Sequence, residues 1–178
     1  AHDGLRGRKA ALLADTLRQK RWDVPYTGFM ATLGDMLDVC KEYGVRPLIE
    51  LKWADGINSK DTSGIPALID FITAKGMRDK CMILTSMKPC LEYIREHYPD
   101  VELQLLVQTK VDENFDFCNK HRMGIDIHHS AVTPEVVERF HAAGLPVNVW
   151  CVNTPEDRAR FTALGVDYIT TTASFPDA

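Results

Sequence analysis

Glu50 and Lys52 stand two residues apart in the run Ile49-Glu50-Leu51-Lys52. On a β-strand that spacing sends both side chains to one side. A carboxylate is a hard oxygen ligand for a divalent cation, and a neighbouring ammonium can hold a phosphate oxygen or stabilise charge that develops on it. The pair therefore suits a metal-bound phosphate ester, although spacing alone also describes an ordinary ion pair at a strand end. In Val147-Asn148-Val149-Trp150-Cys151-Val152-Asn153, Trp150 shares its face with Asn148 and could pack against the apolar part of a substrate or simply fill an interior. Asp126 and His128 share a face in the same way, and either contact a substrate or hydrogen-bond among themselves. His2, followed by Asp3, would titrate near neutrality and could act as a general acid or base. A histidine so near the start of a chain could equally have no role.

Other signals narrow the chemistry. The chain has no HExxH, P-loop, GxGxxG or GxSxG pattern, and Gly4-Leu5-Arg6-Gly7 does not make a phosphate cradle. His97, His121, His129 and His141 fall on helices or outer faces and read as surface groups. Five widely spaced cysteines, with no CxxC pair, read as reduced core residues rather than zinc ligands or a disulfide framework. A net charge of -4 offers no broad cationic surface for nucleic acid or anionic membranes. No apolar run is long enough to cross a bilayer. A cytoplasmic setting is expected, but the chain opens at Ala1 without an initiator methionine, so a leader or an N-terminal region could precede it.

The elements that must position these groups alternate. β-rich runs cover Arg46 to Lys52, Cys81 to Met87, Val101 to Thr109, Met123 to Ser130, Pro146 to Asn153 and Val166 to Thr172. Helical period lies between them, as in Ile65, Leu68, Ile69 and Ile72. Thr32 with Asp35, Thr133-Pro134-Glu135 and Thr154-Pro155-Glu156 mark helix starts. Gly44, Gly76, Gly144 and Gly165 mark helix ends. Residues 1–29 are the least regular, with one short helix expected around Ala10 to Gln19.

This rhythm predicts a parallel sheet with crossover helices. Strand parity then favours a barrel: Ile49, Val147, Val149, Ile125 and Ile127 make one greasy face, while Glu50, Asn148, Trp150, Asp126 and His128 make the other polar toward its C-terminal end. A doubly wound sheet would need apolar residues on both faces. The predicted fold is an α/β (β/α)8 TIM barrel with about six of its eight strands present, in a single domain spanning residues 1–178. Two further βα units of roughly 30 residues would bring the chain near the usual size of such a barrel, about 250 residues.

Together these pieces resemble the glycerophosphodiester phosphodiesterase family. Thr32-Leu33-Gly34-Asp35-Met36-Leu37 leading to Pro47-Leu48-Ile49-Glu50-Leu51-Lys52 looks like its helix and Glu-x-Lys strand. Ala143 to Asn153 looks like its late strand ending in Trp-Thr-Val-Asn, Thr85-Ser86-Met87 stands where it tends to have Ser-Phe, and Gly165 to Thr171 resembles its final strand. The resemblance implies a barrel enzyme that needs a divalent cation, Ca or Mg, and cleaves glycerophosphodiesters to glycerol 3-phosphate and an alcohol. It makes Glu50 a metal ligand and Lys52 a catalytic and phosphate-binding residue. Trp150 would line the substrate pocket, and His2 would be one of two acid/base histidines; His128 is added as a substrate contact from its inward face alone. The expected partner is a small-molecule glycerophosphodiester, with no nucleic acid, no transmembrane segment and a possible homo-oligomer.

Departures accompany the likeness. The family's opening His-Arg motif and Glu-x-Asp metal pair have no counterpart, its late Thr-Asp is Thr171-Thr172, and Cys151 replaces a threonine. One remaining carboxylate is a poor cation site. This stretch alone is therefore expected to be inactive, with the activity belonging to a longer parent. The alternatives are a non-catalytic barrel-derived binding module, or a related phospholipase D-like phosphodiesterase.

Overall fold

The computed structural model describes residues 31–52 and 59–173. Within them helices and strands alternate without exception: α1 (Leu33–Glu42), β1 (Leu48–Glu50), α2 (Ile65–Ala74), β2 (Met82–Thr85), α3 (Lys88–His97), β3 (Glu102–Val107), α4 (Val111–His121), β4 (Gly124–His128), α5 (Pro134–Ala142), β5 (Val147–Trp150), α6 (Pro155–Leu164) and β6 (Tyr168–Ile169). A single 3-10 turn, His129–Ala131, follows β4. Each of the six β-rich runs contains one strand, shorter than the run itself. The flanking residues are β-like in type but lie beyond the ladder, and Lys52 is one of them.

All strand pairs are parallel and the sheet order is β1-β2-β3-β4-β5-β6. A doubly wound sheet reverses its order at a switch point and places helices on both faces. Here every right-handed crossover steps the same way, so the helices cover one face. Curvature follows from one contact. Arg46, just before β1, pairs with Glu102 at the start of β3 and neighbours the Tyr168 phenol of β6. In a flat sheet at about 4.8 Å per strand, the outer strands would lie roughly 24 Å apart, beyond any guanidinium. The six strands therefore bend into part of a barrel, with Arg46, Glu102 and Tyr168 on its inner side.

The core lies between the strands' outer face and the helices. Ile83, Leu103, Leu105, Ile125, Ile127, Val147 and Val149 point outward and are almost wholly buried, against Leu37, Ile69, Ile72, Leu91, Ile94, Phe140 and Phe161 from the helices. The Thr32 capping box closes on itself, with Asp35 N–H donating to Thr32 Oγ1 at 3.2 Å and Thr32 N–H to Asp35 Oδ2 at 2.8 Å. Thr133 and Thr154 cap α5 and α6 as expected. The four glycines that end helices have φ between 64° and 78°, the left-handed region open to glycine.

One helix end carried no such signal. Arg122 closes α4 at φ 49° without being glycine. Arg95 holds it there, donating to the carbonyls of His121 at 2.8 Å, Arg122 at 3.1 Å and Pro99 at 2.6 Å. The cysteines are free, as expected, and Cys81, Cys90 and Cys118 are buried. Burial pushes the Cys81 thiol up to about 11 and that of Cys118 to about 12, which removes thiolate reactivity near neutral pH. No helix among the described residues is long and apolar enough to cross a membrane. The expected helix at Ala10 to Gln19 lies outside the described residues.

Gly124 opens β4 where space is tightest. A Cβ there would sit 2.8 Å from Pro146 O and 2.8 Å from Pro146 Cγ. Gly124→Ala is expected to destabilise the fold by about 1–3 kcal/mol through overpacking. Urea unfolding of the variant beside the parent protein measures it, and an unchanged midpoint would contradict this packing.

Candidate functional site

The outward row is apolar except for Thr85 at the end of β2, and the other polar strand residues take the inner face. Glu50 ends β1 and Lys52 follows two residues later. Lys52 Nζ lies 3.1 Å from Glu50 Oε2, with the two side chains 52% and 33% exposed. Both thus reach one side at the C-terminal end of the strand, half in solvent. Their backbone is tied to β2: Leu51 N–H donates to Leu84 O at 2.9 Å, and Thr85 Oγ1 donates to Leu51 O at 2.8 Å. Thr85 Oγ1 also accepts from Met87 N–H at 3.1 Å, so one hydroxyl fixes the segment carrying Lys52 and the start of α3.

His128 and Trp150 are register partners on β4 and β5, and their rings meet edge to face with centroids 4.7 Å apart. His128 Nδ1 lies 2.7 Å from Ser130 Oγ and accepts from Ser130 N–H at 3.3 Å, which fixes the imidazole in the turn. His129, read from sequence as a surface group, instead packs its ring on His128 with centroids 4.2 Å apart. His121, read the same way, is only 15% exposed and lies against Phe117, because α4 turns that side of itself toward α3. The structure thus brings Glu50 to Lys52, and His128 to Trp150, both at the C-terminal ends of their strands. His2 lies outside the described residues.

Between these pairs lies a buried polar floor, of which the sequence had shown Asp126 and Asn148 but not Gln104. Gln104, Asp126 and Asn148 are 0%, 3% and 0% exposed. Asn148 Nδ2 donates to Gln104 Oε1 at 3.3 Å, and Thr170 Oγ1 donates to Asn148 Oδ1 at 3.4 Å. β4 lies between Gln104 and Asn148, and the link crosses it where Gly124, the register partner of Gln104, has no side chain. Asp126 stands opposite Asn148 in register. Burial, with the negative charge of Glu50 adding to it, pushes the Asp126 carboxyl up to about 7. Parity had placed Asp126 inward, but Gln104 stood in a run that reads as an ordinary apolar strand.

Beyond the floor, Asn153 binds two loops together. Its Oδ1 accepts from Thr171 Oγ1 at 3.1 Å, Thr172 N–H at 2.9 Å and Thr172 Oγ1 at 3.2 Å. The asparagine that closes the Trp-x-Val-Asn motif thus joins the segment after β5 to the segment after β6. Among the described residues no group of three or more His, Cys, Asp or Glu side chains could hold a metal ion. Glu50 with Asp126 falls short of the six or more oxygens that calcium or magnesium takes, so these residues alone do not fit a complete cation site.

Residues 5–174 match the model of the glycerophosphoryl diester phosphodiesterase family. Among solved structures, a candidate glycerophosphoryl diester phosphodiesterase from Silicibacter pomeroyi is 26% identical, with TM-score 0.68 over 79% of this chain and 52% of that one. An Oleispira antarctica phosphodiesterase in complex with the product sn-glycerol-3-phosphate is 20% identical, with TM-score 0.69 over 79% of this chain and 56% of that one. A glycerophosphodiester phosphodiesterase from Parabacteroides distasonis is 23% identical, with TM-score 0.68 over 88% of this chain and 65% of that one. The chain thus spans about half to two thirds of the length of these proteins. No match was found among curated proteins.

The Asp126 carboxyl titrates near 7 folded and near 3.8 unfolded. Between those values the folded protein holds a proton that the unfolded chain has lost, so stability falls as pH rises through this window and levels off above it. Asp126→Asn removes that loss. The stability difference between variant and parent is expected to shift in the variant's favour from about pH 4 to about pH 7, by up to a few kcal/mol at about 1.4 kcal/mol per unit. Denaturant unfolding across pH reads it, and a pH-independent difference would show that Asp126 ionises freely.

Proposed function

Because the chain belongs to the glycerophosphoryl diester phosphodiesterase family, we propose that it carries part of an enzyme that hydrolyses glycerophosphodiesters to glycerol 3-phosphate and an alcohol. The observation that carries this reading is the Glu50–Lys52 pair at the C-terminal end of β1. Barrels of this kind place their chemistry at that end of the strands.

In this proposal Lys52 binds a non-bridging phosphate oxygen and stabilises the charge that grows on it as the phosphorus–oxygen bond breaks. Water supplies the new oxygen on phosphorus, and the alcohol departs with a proton. His2 is the acid/base group that moves that proton, and Trp150 and His128 line the pocket beside it. A divalent cation, calcium or magnesium, belongs to the reading as a source of positive charge at the phosphate, with Glu50 as one ligand. The described residues do not complete its shell, and the roles of Lys52, Trp150 and His128 do not depend on it.

The test is release of glycerol 3-phosphate from glycerophosphocholine by the full-length protein, with calcium, with magnesium and with a chelator. Activity is expected with metal and lost on chelation. Lys52→Met and Glu50→Gln should each lower kcat/KM by about 100-fold or more, the range for removing one transition-state-stabilising group. A full-length protein that is folded and metal-loaded yet releases no glycerol 3-phosphate would rule the activity out, and unaffected variants would rule out these roles.

The end strands of the described sheet, β1 and β6, offer edges through which a second copy could pair. A homo-oligomer is therefore proposed as well. Light scattering of the full-length protein should give a multiple of the monomer mass, and a monomer at all concentrations would refute it.

A further inference from the structure

Arg46 carries the start of β1 past its neighbour β2. Its guanidinium pairs with Glu102, the first residue of β3, and neighbours the Tyr168 phenol of β6. β1 is otherwise lightly held. Its ladder covers Leu48, Ile49 and Glu50 and runs to β2, with Leu51 N–H adding a bond to Leu84 O at 2.9 Å. Leu48 and Glu50 are exposed and Ile49 is half-buried, so packing holds this strand less firmly than β2, whose four residues are all buried.

A ladder to one neighbour fixes the spacing and register of two strands. It leaves the outer strand free to roll, since the twist between adjacent strands ranges over roughly 10–35°. Roll is shared along a strand. Residues 46, 48, 50 and 52 have one parity, so whatever turns Arg46 toward the inner face turns Lys52 the same way, roughly 20 Å further on. Glu50 is still inside the ladder, whereas Lys52 lies two residues past it. The Thr85 hydroxyl ties Leu51 O to β2 as well, and so adds to the same hinge without opposing its roll.

We propose that Arg46 is a positioning residue for Lys52: by its hold on Glu102 and Tyr168 at the N-terminal end of the sheet it fixes the roll of β1, and with it the direction in which Lys52 enters the C-terminal mouth. This rests on the phosphodiesterase reading of Lys52. Arg46 stands at the far end of the strand and touches no reacting group. An ion pair whose partners are 38% and 37% exposed contributes little to folding. A misplacement of about 1 Å at the reacting centre, by contrast, can cost about 100-fold in rate. Loss of Arg46 therefore falls on the reaction more than on the fold.

The experiment uses the full-length protein with glycerophosphocholine. Arg46→Met is expected to lower kcat/KM by at least about tenfold, while the urea midpoint stays close to the parent's. Sites this far apart ordinarily act independently. In a Lys52→Met background, however, the same exchange should cost less than about twofold, because the group it orients is gone. Losses that multiply in the double variant overturn the proposal, and so does an Arg46→Met protein as active as the parent. Glu102→Gln and Tyr168→Phe are milder exchanges that keep size and shape. At least one should reproduce the pattern, and two unaffected variants also overturn it. Hydrogen exchange separates this failure from failure of the enzymatic reading. In Arg46→Met the Leu51 amide should exchange at least about tenfold faster, while the Ile125 amide, bonded to Pro146 O at 3.0 Å within the sheet, keeps its rate within about twofold. Faster exchange at Leu51 without any diester cleavage by the parent keeps the hold of Arg46 on β1 and sinks the phosphodiesterase, whereas cleavage with unchanged exchange at Leu51 does the reverse.

Discussion

The constraint on which this structure depends is the two-residue alternation of side chains along parallel strands whose outer face is wholly claimed by helices. The outward positions of β2 to β5 must be apolar to seat α2 to α6, and they are: Ile83, Leu103, Leu105, Ile125, Ile127, Val147 and Val149 are all essentially buried. Apart from Thr85, whose hydroxyl is tied to Leu51 O and Met87 N–H, the polar groups those strands carry then stand on the inner face. That face is dry in its middle, at Gln104, Asp126 and Asn148, and opens toward its ends, where Glu50 and Lys52 reach the C-terminal rim. A gradient of environments results from geometry alone.

The chemistry divides along that gradient. Glu50 and Lys52 stand half in solvent, where a pair of exposed charges gains little stability from its own attraction. Gln104, Asp126 and Asn148 stand where water does not reach, and there a carboxylate is costly enough that Asp126 holds its proton up to about 7. Ionised groups thus stand at the C-terminal rim, and groups that burial holds neutral stand on the floor.

Precision at the rim comes from backbone ties. Thr85 fixes the carbonyl between Glu50 and Lys52, Asn153 gathers Thr171 and Thr172, and His128 is pinned by Ser130. Each uses one polar side chain to hold a loop that the strand ladder no longer controls. A sheet of this kind positions groups rigidly only as far as its hydrogen bonds run, and these ties extend the order by two or three residues.

The sequence by itself determined the order of the elements. The threonine caps, the glycine stops and the outward apolar parity act within one turn or one strand, and each appears in the structure where its residues place it. The same locality made Glu50 and Lys52 legible as a same-side pair, and Asp126 and His128 as inward residues. Tertiary structure decided what depends on neighbours far along the chain. Gln104 reaches Asn148 across 44 positions over a glycine, His128 meets Trp150 because β4 and β5 run in register, and Arg95 allows a non-glycine to end α4. Burial, pKa and unpaired atoms are properties of packed neighbours, and a period of two or 3.6 residues carries no information about which strand lies beside which.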